Sequence, residues 1–268
     1  MASRVTEASR RPRRIGLALR GARRGRPDTG GESEGSREIR HLVEEPYRSV
    51  GETHRRLTEL LEAFDARGDR RSAFLTIYAR VTGAVGDRVE SGWFDDPEWV
   101  ADYLVAFANL YREAVLDFEA GRLEALADPW QIAFEAAETE ACHVLQDVAL
   151  GINAHINYDL ALALDEVGID PDRRRKRDDH RAVTDVLRRL VDENQDTLAE
   201  KYDPTIADLD ELLGELDELF SVLAIDECRD SAWRTAVALD SALPVRRRFA
   251  MWVTRATSTG AAYLIRGA

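Results

Sequence analysis

Lysine is almost missing from this chain: only Lys176 and Lys201 occur, against 35 arginines. Cysteine is scarce too. Two residues, Cys142 and Cys228, cannot build a disulfide framework or a zinc ribbon. No run of some 18 uncharged apolar residues occurs, which excludes a transmembrane helix. No segment keeps a strand-like alternation of apolar and polar residues, which argues against a sheet. A Gly-x-Ser-x-Gly elbow, a phosphate-cradling glycine loop and a dinucleotide fingerprint are all lacking. The well-marked hydrolase, kinase and dehydrogenase classes therefore have no signature here.

What is present is enough apolar material for a real core: 44% of 268 residues are hydrophobic. Charge is lopsided. Fifty acids against 37 bases give a net charge of -13. Residues 1–37 hold ten arginines and four acids, a net of +6, so the remaining 231 residues carry -19. An acidic body nearly without lysine suits a halophile, whose carboxylates hold water while salt mutes their repulsion. GC-rich coding favours arginine as well. Such a body is expected to repel nucleic acid and anionic membranes, leaving only the tail with the charge to bind either.

The tail carries Arg10-Arg11-Pro12-Arg13-Arg14 followed by a five-residue apolar run interrupted by Arg20. That run is too short for a signal-peptide core, so the expectation is a cytoplasmic protein with a disordered Arg-rich tail over 1–37. Periodicity places helices over 36–45, 53–66 and 72–90. Asp96-Pro97 and Asp128-Pro129 each put Asp at an N-cap and Pro at the first helical position. The first opens a helix to about Glu119, the second a long one from Trp130 to about Glu166, ended by Gly168 and Pro171. A charged connector over 173–180 leads into a helix to about Leu198 and a turn at Asp203-Pro204. Further helices cover 206–223, 230–243 (ended by Pro244) and 245–265. The expected fold is all-α: a single multi-helix bundle over 38–268 with a long buried central helix.

One stretch of that central helix stands apart. Cys142 to Leu160 contains no Lys, Arg or Glu, yet holds His143, Asp147, Asn153, His155, Asn157 and Asp159. A nearly all-round apolar helix belongs in a bundle centre, and polar groups buried there must be paired or bind something. His155–Asp159 and His143–Asp147 are both i,i+4 pairs. At about 100° per residue the four fall near 0°, 40°, 120° and 160°, a broad arc, with Gly151 able to allow a bend. Such pairs bind divalent metals through imidazole nitrogen and carboxylate oxygen, or form buried hydrogen bonds that bind nothing. Asn153 and Asn157 face away from the His–Asp pair and read as a structural polar network. Cys142, Cys228 and the tryptophans read as core.

The run Leu150-Gly-Ile-Asn-Ala-His-Ile-Asn-Tyr-Asp-Leu160 resembles the hallmark of an uncharacterised prokaryotic and fungal family, catalogued as domain of unknown function 5995. Phe74 to Thr82, Phe94 to Pro97, Phe107 to Tyr111, Pro129-Trp130, Asp179-His180 and Ala232-Trp233 agree in order, so the resemblance spans roughly 55–245. It implies an all-helical domain and supplies no activity. His-x-x-x-Asp on a buried helix also resembles a metal-ligand element of helical zinc-dependent phospholipases and nucleases, although five histidines would hardly fill a trinuclear site.

Two functions are expected. The first is a metal-dependent hydrolase. His143, His155, Asp159 and His180 would hold zinc, iron or manganese, and Asp147 or Asp179 would take a proton from the metal-bound water. The alternative is a non-catalytic helical domain whose buried network is structural and which binds a small ligand or a protein partner. The sequence specifies no oligomeric state.

Overall fold

A computed structural model describes residues 34–202 and 225–267 of the chain. The Arg10–Leu19 run, the Asp203-Pro204 turn and the acidic 206–223 segment lie outside them. The side chains of 34, 35 and 188–202 are likewise not described. Among the described residues every regular element is helical, and no helix is long and apolar enough to cross a membrane.

The helices run α1 (Glu34–Val43), α2 (Val50–Asp65), α3 (Ser72–Glu90), α4 (Pro97–Glu119), α5 (Asp128–Thr139), α6 (Val144–Ala154), a π-turn (His155–Asp159), α7 (Leu160–Val167), α8 (Arg173–Tyr202), α9 (Ile225–Leu239) and α10 (Pro244–Gly267). Local chemistry sets the boundaries. Ser49 Oγ accepts from the Glu52 amide at 3.3 Å and starts α2, whose Thr53, Leu57, Leu60 and Phe64 fall inward at three- and four-residue steps. Asp96 Oδ1 caps α4 at the Trp99 amide, 3.2 Å, with Pro97 in its first turn.

Several expectations need correction. Residues 34–37 belong to α1 rather than to the tail, because that helix buries Ile39 and Val43. Asp128 is not an N-cap: Ala127 holds that place, and the Asp128 carboxylate pairs with Arg255 on α10 at 3.0 Å. The charged 173–180 stretch is the first two turns of α8, not a connector. Pro244 begins α10, where a missing N–H costs nothing, and does not end the helix before it: α9 stops at Leu239.

The largest correction concerns the long central helix. It is three helices and a π-turn. Glu140 takes a left-handed conformation (φ 48°) and stops α5. His143 then caps α6: its Nδ1 accepts from the Leu145 amide at 3.4 Å, and Gln146 Oε1 accepts from the His143 amide at 2.8 Å. No glycine or proline marks this break, so periodicity passes over it.

Two apolar clusters result. One joins α1, α2, α3, the second half of α4, α5 and α6 around Phe64, Phe118 and Trp130. The other joins the start of α4 with α7, α8 and α9 around Trp99, Leu164 and Trp233. Phe107, Val81 and Ile156 border both. The π-turn therefore sits at the seam between the two cores. Asn109 and Arg112, on α4, tie the α1–α2 loop: Asn109 Oδ1 accepts from the Tyr47 amide at 2.8 Å, and Arg112 donates to the Val43 carbonyl at 2.7 Å.

Candidate functional site

His155 opens the π-turn, in which the Leu160 amide bonds back five residues to the His155 carbonyl. Such turns recur at functional sites. Gly151, one helical turn earlier, permits the close packing beneath it. A Cβ there would lie 2.5 Å from Phe74 Cγ, so only glycine lets α6 approach α3 this closely. That approach, rather than a bend, is what Gly151 provides. Phe74 in turn helps enclose His155 together with Tyr78, Phe107, Tyr111 and Trp130. The Phe107 ring stacks on the imidazole at 3.5 Å and Tyr78 meets it edge-on at 4.4 Å.

The imidazole has a defined proton. Its Nδ1 lies 3.2 Å from Asp159 Oδ2, which also accepts from the Trp130 indole N–H at 2.8 Å. With the carboxylate as acceptor, Nδ1 carries the hydrogen and Nε2 is left as a bare lone pair. Burial holds the His155 pKa well below the usual imidazole range, so the ring is neutral. Nε2 is buried and has no hydrogen-bond partner among the described residues, and the same is true of Tyr78 Oη. A buried acceptor left unmet costs about 1–3 kcal/mol.

Both residues line a partly open, mainly apolar cavity of about 90 Å³ between α3, α4, the π-turn, α8 and α9. Its remaining wall is Ile77, Val85, Val100, Leu104 and other apolar side chains, with Thr82, Tyr103 and Arg229 as the further polar groups.

The other predicted site residues do not join His155 and Asp159. His180 is buried with both ring nitrogens engaged. Nε2 donates to the Arg229 carbonyl at 3.1 Å, and Nδ1 accepts from Tyr103 Oη at 3.2 Å. Burial first, then the Arg229 charge, push its pKa well down. Asp179 is a clasp: its two oxygens accept from the Asp95 and Asp96 amides at 2.8 and 2.7 Å, fastening α8 to the start of α4. Asp147 Oδ2 lies 2.6 Å from Arg70 Nη2, close but off-line for a hydrogen bond. It lines a second, much smaller cavity beside Trp130 and Gly151. Burial pushes its carboxyl up to about 6, against the pull of Arg70. His143 is an exposed cap outside α6, so it shares no helix face with Asp147. Among the described residues, no three of His, Cys, Asp and Glu form a group able to hold a metal ion.

Asn153 donates to the Ser258 carbonyl on α10 at 2.8 Å and accepts from Asn157 Nδ2 at 2.9 Å. The pair links the central segment to the last helix.

Sequence reasoning passes over three neighbours of the candidate site. Trp130 is not only core, because its N–H orients Asp159. Phe107 supplies the stacking face. Arg229 is 3% exposed and sits on the buried face of α9 with Ala232, Trp233 and Ala236. An arginine in register with that apolar stripe was the signal available.

Compared with known proteins, the model of a family of unknown function (DUF5995) matches residues 50–267. No curated protein and no solved structure matches the chain.

Proposed function

The chain belongs to the family of unknown function DUF5995, and from that premise we propose that it is a helical binding protein for a small, mainly apolar molecule. The ligand enters the cavity at the seam of the two cores and gives a hydrogen-bond donor to His155. One observation carries this reading: His155 lines the cavity with its buried Nε2 unpartnered among the described residues, while Asp159, itself bonded by Trp130, holds Nδ1. Pockets of this kind, apolar with few convergent polar groups, are the usual form of small-molecule sites.

The reading favours the ligand-binding expectation over the hydrolase. A divalent ion needs three or more ligands, and His155 brings one available ring nitrogen. His180 and Asp179 are spent on structural bonds, and Asp147 lines the other cavity. The Asp159–His155 pair has the form of an oriented general base, but its depressed pKa makes it a weak one at neutral pH.

The test is nitrogen NMR of the His155 ring during titration with short primary alcohols. The Nε2 resonance should move towards that of a hydrogen-bonded acceptor. Val85→Phe, which fills the cavity wall, should abolish the shift. An Nε2 resonance unmoved by every alcohol would refute the reading.

A further inference from the structure

Arg229 lines the same cavity and is almost fully buried. Its guanidinium is held on two sides. Nε donates to Thr184 Oγ1 at 2.9 Å, and Nη2 to the His180 carbonyl at 2.9 Å, with Tyr103 Oη at 3.5 Å and His180 Nδ1 at 3.4 Å. These partners are neutral. Among the described residues Nη1 makes no hydrogen bond and no carboxylate pairs with Arg229. The neighbouring Asp230 is turned to Arg181 at 3.8 Å.

Arginine cannot relieve a buried charge by losing its proton. A buried cation is stable only when paired or well hydrogen-bonded. The neighbouring His180 adds no negative charge, being neutral with both nitrogens used. Among the described residues, then, this cavity-lining cation is hydrogen-bonded but has no counter-charge, and the wall around it is mainly apolar.

We propose that the ligand is a small organic acid: an apolar body in the cavity and a carboxylate on Arg229 Nη1. This rests on the cavity reading above and adds the charge class of the ligand. Carboxylate geometry suits the guanidinium edge, since one oxygen can take Nη1–H without disturbing the bonds of Nε and Nη2. The His155 lone pair then discriminates along the body, accepting from a hydroxyl or amide N–H where the acid carries one.

The experiment compares hexanoate, hexanamide and hexanol as probes on the full-length protein by calorimetric titration. A charge-assisted bond to a buried guanidinium should make hexanoate bind about tenfold or more tightly than the two neutral probes. Arg229→Gln should bring the three within about threefold of one another, while Val85→Phe should weaken all three. If Arg229→Gln fails to fold, Arg229→Lys replaces it. Lysine keeps the charge but not the fork, so partial retention of the hexanoate preference is expected. Equal binding of the three probes to the wild type overturns the Arg229 assignment and leaves the cavity reading standing. Hexanoate binding that Val85→Phe does not weaken overturns it too, because the anion would then lie outside the cavity. Binding of none of the probes removes both readings.

Discussion

Replacing Gly151 by alanine sets two effects of opposite sign against each other. Within a helix, alanine is better than glycine by about 1 kcal/mol. At Gly151 the added methyl would stand 2.5 Å from Phe74 Cγ and 2.7 Å from both Phe74 Cβ and Cδ2. Comfortable carbon contacts lie near 3.5–4.0 Å, so the overlap is about 1 Å against three atoms. Phe74 cannot simply swing aside. Tyr111 and Trp130 meet its ring at 5.5 and 5.7 Å, and Tyr78 and His155 at 5.7 and 5.8 Å. Overpacking of a filled core costs about 1–3 kcal/mol, and the confinement of Phe74 places this case at the upper end. The net is about 2 kcal/mol of destabilisation, a drop of about 4–8 °C in melting temperature for a domain of this size. Gly260 on α10 is the control, with nothing within 4 Å of its added Cβ. Gly260→Ala should therefore raise the melting temperature by about 2–4 °C. Thermal unfolding followed by far-UV circular dichroism reads both. A Gly151→Ala variant as stable as the wild type would show that α3 and α6 have room to spare, and the packing argument would fail.

Acid should weaken the fold through its histidines. His155 and His180 have folded pKa values well below 6.5, so their contribution is complete above pH 6.5. It is lost as pH falls below that value, because the unfolded chain takes protons that the folded one resists. Two such groups contribute a slope of at most about 2.7 kcal/mol per pH unit. Urea unfolding at a series of pH values should show a shallower acid loss in His155→Phe than in the wild type, and parallel curves would refute the assignment. Asp147 acts in the opposite sense. Its folded pKa of about 6 exceeds the ordinary 3.8, so its protonated form is favoured and this stability is lost as pH rises through 6. Carboxyl-carbon NMR should place its midpoint near 6; a midpoint below 4 would mean that Arg70 outweighs burial.

The sequence by itself determined the fold class and marked the buried segment that carries the candidate site. Helical spacing of Leu57, Leu60 and Phe64, the Asp96-Pro97 start and the missing strand alternation are local properties, and local properties survive into the structure. The charge-poor Cys142–Leu160 run marked the buried segment for the same reason, since burial selects against lysine, arginine and glutamate wherever the chain ends up. Tertiary structure decided the rest. Two i,i+4 pairs look alike in sequence, yet His143 became an exposed cap and His155 a buried, oriented base. The difference lies in a left-handed Glu140 that no sequence signal announced, and in a π-turn held between two cores. His180 and Asp179 were drawn into bonds with residues 49 and 84 positions away, Arg229 and Asp95. Arg229 reached the cavity only because α9 packs on α7. Helical periodicity records which face is buried, but which polar atoms meet across that face depends on the packing of helices distant in the chain.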